Sequence, residues 1–160
     1  MKNQFKQIKN IIKEELALIN NKITSTVLLE TLKYKLIDRM KINNLNYVDE
    51  DIIDFKEEGL FEDEFHEIIF KLISFKLPFI NLNYLANKKQ LIISLKQDIK
   101  IDIENIKTKK IFHYKCIEMT GIIIPEGSKC SFKYPKTSVV LEIGSRDKLL
   151  NVDKLEESTI

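Results

Sequence analysis

Tryptophan is absent from this 160-residue chain, and glycine (4), proline (3) and cysteine (2) are scarce. Each scarcity excludes something. Four glycines leave few places where backbone can approach a phosphate closely. No Gly-rich phosphate loop, GxSxG elbow or HExxH pair occurs. Two cysteines do not make a disulfide scaffold, and a chain of this length buries roughly two thirds of its unfolded surface without one. No run approaches the ~18 apolar residues of a membrane-spanning helix. The N-terminal MKNQFKQIKNIIKEELALIN lacks the uninterrupted apolar centre of a signal peptide. A cytoplasmic protein with reduced thiols is expected, with no membrane partner. A large excess of one charge is missing too: the formal net charge is +2, too mild to imply a polyanion. Ile, Leu, Lys and Asn crowd the chain, as an AT-rich genome produces by itself, so the raw lysine count is discounted.

What is present reads as helices first. Phe5, Ile8, Ile12, Leu16 and Ile19 recur at spacings of three and four, an apolar stripe on a helix over about 3–20. Asn20-Asn21 stops it, and Thr24-Ser25-Thr26 supplies cap chemistry for a second helix carrying Leu29, Leu32, Leu36 and Met40 up to Asn43-Asn44. The same spacing predicts a short acidic helix with Val48, Ile52 and Phe55 inward and Gly59 as its stop, then a fourth over about 60–76 through Phe61, Phe65, Ile68, Leu72 and Phe75.

After Pro78 the period becomes two. Leu91, Ile93 and Leu95 share one face, and Ile99, Ile101 and Ile103 alternate with Lys100, Asp102 and Glu104, a strand with one wet side. Further strands are expected over 111–124, 129–134 and 137–143. Short connections favour antiparallel hairpins, with KQD as one turn. The expected fold is therefore α+β, about four N-terminal helices followed by a C-terminal antiparallel meander sheet. It forms a single domain over 1–160: a helical part to about 77, a β part over about 78–145 and a tail over 146–160.

The residues with reactive chemistry gather in KIFHYKCIEMTGIIIPEGSKCSFKY, 110–134. His113 and Cys116 lie three apart on a strand, so they face opposite sides. A hairpin about Glu126 sets Ile122 opposite Cys130 and Thr120 opposite Phe132, leaving Cys116 out of disulfide reach of Cys130. Cys116 shares a face with Phe112 and Tyr114 and reads as an apolar filler. Asp63 and His66, with Glu62 nearby, match half of a di-iron helix motif whose second half is missing. Asp49–Leu60 (DEDIIDFKEEGL) fails the calcium-loop spacing, and the strand of Asp102 and Glu104 lacks the lysine that a restriction-type nuclease site needs two residues on. No metal, cofactor or catalytic residue is implied, and a non-enzyme is expected.

Charge distribution carries the functional reading. Between Asp49 and Glu67 stand Asp49, Glu50, Asp51, Asp54, Glu57, Glu58, Glu62, Asp63, Glu64 and Glu67 against Lys56 alone, a local charge of −9. The flanks are basic: +5 over the first 44 residues and +6 over 87–150. Such a band either cancels against the basic strands or forms a docking surface for a basic protein or for copies of the same chain. The expectation is a non-catalytic protein–protein interaction module, either a subunit of a larger bacterial or phage assembly or an inhibitor or immunity-type protein. The alternative is a nucleic-acid-binding module using Lys109, Lys110, Tyr114, Lys115, Lys129, Phe132 and Lys133, basic residues interleaved with aromatics.

Overall fold

A computed structural model describes residues 2–19, 25–45, 59–62, 68–75, 77–86 and 89–145. Two helices, α1 (Lys2–Leu18) and α2 (Thr26–Ile42), precede nine strands. These are β1 (Gly59–Glu62), β2 (Ile68–Phe75), β3 (Phe79–Ala86), β4 (Gln90–Lys96), β5 (Ile99–Asn105), β6 (Ile111–Cys116), β7 (Thr120–Ile124), β8 (Ser128–Tyr134) and β9 (Ser138–Ser145). All pairings are antiparallel. One sheet has the order β1-β2-β9-β4-β7 and the other β3-β8-β5-β6. Strands β2 to β9 thus form an eight-stranded jelly roll of two facing sheets, with β1 added at one edge.

The capping chemistry works as the sequence requires. Ser25 caps α2 and accepts from the Leu28 N–H at 3.1 Å, and Asn43-Asn44 ends it, Asn44 at φ 52°. Arg39 on α2 clips the helices together through Glu14 at 2.6 Å and Glu15 at 3.0 Å. The apolar stripes of both helices (Ile8, Ile12, Leu16, Leu29, Leu32, Leu36, Met40) are buried against Leu72, Leu91, Ile93, Leu95, Val139, Leu141 and Ile143 of the five-stranded sheet. The alternate residues of the same strands, among them Ile73, Ile92 and Val140, join Ile99, Ile101, Ile103, Cys130 and Phe132 between the sheets. The described residues therefore form three layers: helices, a sheet buried on both faces, and a sheet with one face that no described element covers.

This overturns the α+β expectation. Residues 59–62 and 68–75 are strands, not a fourth helix, although Ile68, Leu72 and Phe75 have helical spacing. Leu72 is buried under the helices and Ile73 and Phe75 between the sheets, so β2, reading IIFKLISF, is a run that periodicity alone cannot assign. The predicted third helix lies largely outside the described residues, and its supposed stop, Gly59, opens β1.

The meander is also corrected. The expected strand over 111–124 is two strands in different sheets, β6 against β5 and β7 against β4. The KQD segment is a corner that carries the chain from β4 to β5 in the other sheet, and β7 and β8 do not pair with each other. Among the described residues, only β1–β2 and β5–β6 are consecutive strands that pair. Bent corners, not hairpins, make these short links possible. Three corner residues adopt left-handed backbone without being glycine: Gln97 (φ 75°), Met119 (φ 63°) and Thr137 (φ 63°). Hydrogen bonds tie the corners together. The Met119 N–H donates to the Ser94 carbonyl at 2.6 Å, the Gln97 N–H to Glu118 at 2.9 Å, and the Gln97 side-chain amide to Thr137 Oγ1 at 2.8 Å.

Candidate functional site at the β6 edge

Among the described residues strand β6 is an outer strand of the four-stranded sheet, paired with β5 alone, and its register runs unbroken from Ile99↔Cys116 to Glu104↔Ile111. Five consecutive residues, Ile111 to Lys115, are exposed. The exposure includes large apolar side chains: Ile111 at 51%, Phe112 at 44% and Tyr114 at 43%. Edge strands are usually blunted by bulges, cover or shortness. Here β3, the opposite edge, has a register shift between Asn81 and Tyr84. β7 lies under α2, where a Cβ on Gly121 would stand 3.1 Å from Lys33 Cδ and 2.9 Å from Ile93 Cγ1. Among the described residues β6 has neither protection.

The backbone of β6 can be assigned bond by bond. The Asn105 N–H donates to the Lys110 carbonyl at 2.9 Å, which makes Asn105 and Lys110 a hydrogen-bonded pair. Hydrogen-bonded and non-bonded pairs alternate along an antiparallel ladder. Phe112, Tyr114 and Cys116 therefore spend their N–H and C=O groups on β5. Ile111, His113 and Lys115 point theirs outward, at the open edge.

The two faces of β6 differ in chemistry. On the inner side, Phe112 and Tyr114, with ring centroids 6.4 Å apart, line a groove of about 370 Å³ between β6 and β7. Ile103, Ile122 and Ser128 line it as well, and Lys33 of α2 stands at its rim. On the outer side, register sets Lys100 of β5 directly opposite both Lys115 of β6 and Lys133 of β8, so three exposed lysines form one row across the bare face. The next row is Ser131, Asp102 and His113, with His113 Nδ1 2.7 Å from Asp102. The third is Lys129, Glu104 and Ile111. Asp98 lies 3.7 Å from Lys115.

The residues singled out in the sequence divide accordingly. Lys115, Lys129 and Lys133 share the bare face. Lys109 and Lys110 lie in the β5–β6 turn, and Tyr114 faces the groove instead. Phe132 is fully buried between the sheets, so it cannot stack on a ligand. Lys100 was missed, although its place on the wet side of β5 was legible; only register shows its two neighbours. Of the acidic band, Glu62 lies on β1, not on a helix. Asp49, Glu50, Asp51, Asp54, Glu57, Glu58, Asp63, Glu64 and Glu67, with His66, lie outside the described residues.

The thiols are free and buried. β5 separates them: Cys116 pairs in register with Ile99 and Cys130 with Ile103. The hairpin offered above as the reason for their separation does not exist. Burial raises both thiols, Cys130 to about 12. Among the described residues no group of three or more His, Cys, Asp or Glu is placed to share a metal ion, and no helix is long and apolar enough to cross a membrane.

No protein-family model matches the sequence, and no curated protein does. Solved structures overlap it in part. Oxalate decarboxylase of Bacillus subtilis is 11% identical with a TM-score of 0.44, the overlap covering 49% of this chain and 21% of that one. An oxalate oxidase is 12% identical with a TM-score of 0.42, covering 48% and 40%. The protein NMB1881 of Neisseria meningitidis is 10% identical with a TM-score of 0.43, covering 62% and 96%. The jelly roll is assigned on this chain's own strand order and register.

Proposed function

We propose that the chain is a non-catalytic protein–protein interaction module, a subunit of a larger assembly, that accepts an extended segment of its partner as an added strand along β6. The observation that supports this reading is the coincidence on β6 of outward backbone groups at Ile111, His113 and Lys115 with exposed apolar side chains. Strand addition draws affinity from the main chain and specificity from pockets for alternate side chains. The groove beside Phe112 and Tyr114 offers such pockets. The acidic stretch lies almost wholly outside the described residues, and the support for this reading comes from the β6 edge alone.

The test removes one donor. His113→Pro deletes an N–H that points outward and leaves every β5–β6 backbone hydrogen bond in place, a position where an edge strand tolerates proline; the His113–Asp102 contact is lost equally in His113→Ala. His113→Ala keeps the N–H. After purification from the native host, a protein partner should stay with His113→Ala and be lost with His113→Pro. Equal recovery with both variants, or a wild-type chain that carries neither a second protein nor a second copy of itself, would overturn the reading.

A second reading has its own observation. The in-register row Lys133–Lys100–Lys115 favours a polyanion such as a nucleic acid, held through phosphates alone, since Phe132 is removed as a stacking partner. Such binding would be steeply salt-dependent.

A further inference from the structure

We propose that the partner of β6 is a second copy of the same chain: two β6 strands pair antiparallel about a two-fold axis at His113 and join two four-stranded sheets into one of eight strands. This rests on the strand-addition reading and goes beyond it by naming the partner.

The argument is one of parity. Only Ile111, His113 and Lys115 point backbone groups outward, so only they can form the hydrogen-bonded pairs of a new ladder. Centring the axis on His113 sets Ile111 opposite the second copy's Lys115, His113 opposite its counterpart, and Lys115 opposite the second copy's Ile111. All outward residues find outward partners. The intervening non-bonded positions, where side chains approach most closely, then pair Phe112 with the second copy's Tyr114, and Tyr114 with its Phe112. Both rings lie on the groove side, half-exposed in the single chain.

Neighbouring registers are worse on charge. Centred on Phe112, the ladder sets Lys115 against the second copy's Lys109. Centred on Tyr114, it sets His113 against the second copy's Lys115. Only the His113-centred register sets Lys115, the one lysine of β6, opposite an apolar residue. The lysine row of one copy then runs on into the Ile111, Glu104, Lys129 row of the other, so that Glu104 follows one position beyond the junction. Edge-to-edge closure of this kind is isologous, the commonest symmetry of soluble assemblies.

Sedimentation of the purified chain over the micromolar range tests this. The wild-type chain and His113→Ala should dimerise, and His113→Pro should weaken the dimer at least about tenfold. Register has its own test, which does not depend on the fold of the proline variant. In a hydrogen-bonded pair the Cα atoms lie ~5.5 Å apart, within disulfide range. Oxidation of His113→Cys should therefore yield a covalent dimer, and oxidation of Ile111→Cys should not. A wild-type chain that stays monomeric throughout overturns self-pairing. If that monomer still loses a co-purifying protein on His113→Pro, strand addition survives with another partner. A dimer indifferent to His113→Pro overturns both. Cross-linking of Ile111→Cys in preference to His113→Cys overturns the register.

Discussion

The two sheets share one pairing scheme and differ in what covers them. The five-stranded sheet has helices on one face and the other sheet on its second face. Six consecutive β4 residues, Gln90 to Leu95, are buried there, and so is Glu142 of β9, whose register neighbours are Ile92 and Lys71. The four-stranded sheet is dry only inside. Its strands alternate, as β8 does with buried Ser128, Cys130, Phe132 and Tyr134 between exposed Lys129 and Lys133. Among the described residues one sheet is buried on both faces and the other is exposed on one, and β6 is where the exposed side also turns backbone groups outward.

The largest expected effect sets one sheet against the other. Leu141→Ala empties a fully buried site under the helices and should cost about 3 kcal/mol in denaturant unfolding. Lys133→Ala, on the bare face, should stay within about 0.5 kcal/mol. Comparable losses at the two positions would mean that the bare face is covered in solution.

The same difference governed what could be read from sequence. Strands with one wet face keep period two, so β5 and β8 were legible to within a residue or two. β2, buried at Leu72 on one face and at Ile73 and Phe75 on the other, lacks that signal, and its apolar residues at helical spacing point to a helix instead. The break between β6 and β7 was hidden because Met119, not glycine or proline, makes the turn. For the site, Lys115, Lys129, Lys133 and Tyr114 were visible as types, whereas the lysine row and the open edge depend on strand neighbours that are remote in sequence.

Cys130 sharpens the contrast within the four-stranded sheet, since it faces the dry side. Burial raises its thiol from 9.0 to about 12. A folded pKa above the unfolded one means that this stability is intact below about pH 9 and is lost as pH rises towards 12, because the unfolded chain ionises first. The loss should be roughly 1.4 kcal/mol per pH unit. Unfolding measured on either side of pH 9 should show Cys130→Ala with the shallower decline; parallel declines would mean that water reaches the thiol.

A smaller gain is expected at the turn between β5 and β6. Lys109 is exposed at φ 65°, a conformation that Gly127, at φ 83°, adopts without strain. Lys109→Gly should raise stability by about 1 kcal/mol. Removal of the lysine without that gain would indicate that its side chain holds the turn.

The smallest effect on stability is also the most diagnostic for the bare face. Lys100 stands between Lys133 and Lys115, and like charges directly opposite on neighbouring strands cost a few tenths of a kcal/mol. Lys100→Glu turns two repulsions into two attractions. Stability should rise by roughly 0.5 kcal/mol at low salt, and the gain should vanish near 1 M salt, where screening acts within ~3 Å. The same substitution has an opposite consequence if the row holds phosphates. Polyanion affinity should then fall, with a log–log salt slope shallower by at least about 0.7. A stability gain without any change in polyanion binding would leave the row as an electrostatic cost of the fold and remove the nucleic-acid reading. A stability loss would show that Lys100 is held by an anionic group on the bare face, and the contrast between the two sheets would have to be redrawn there.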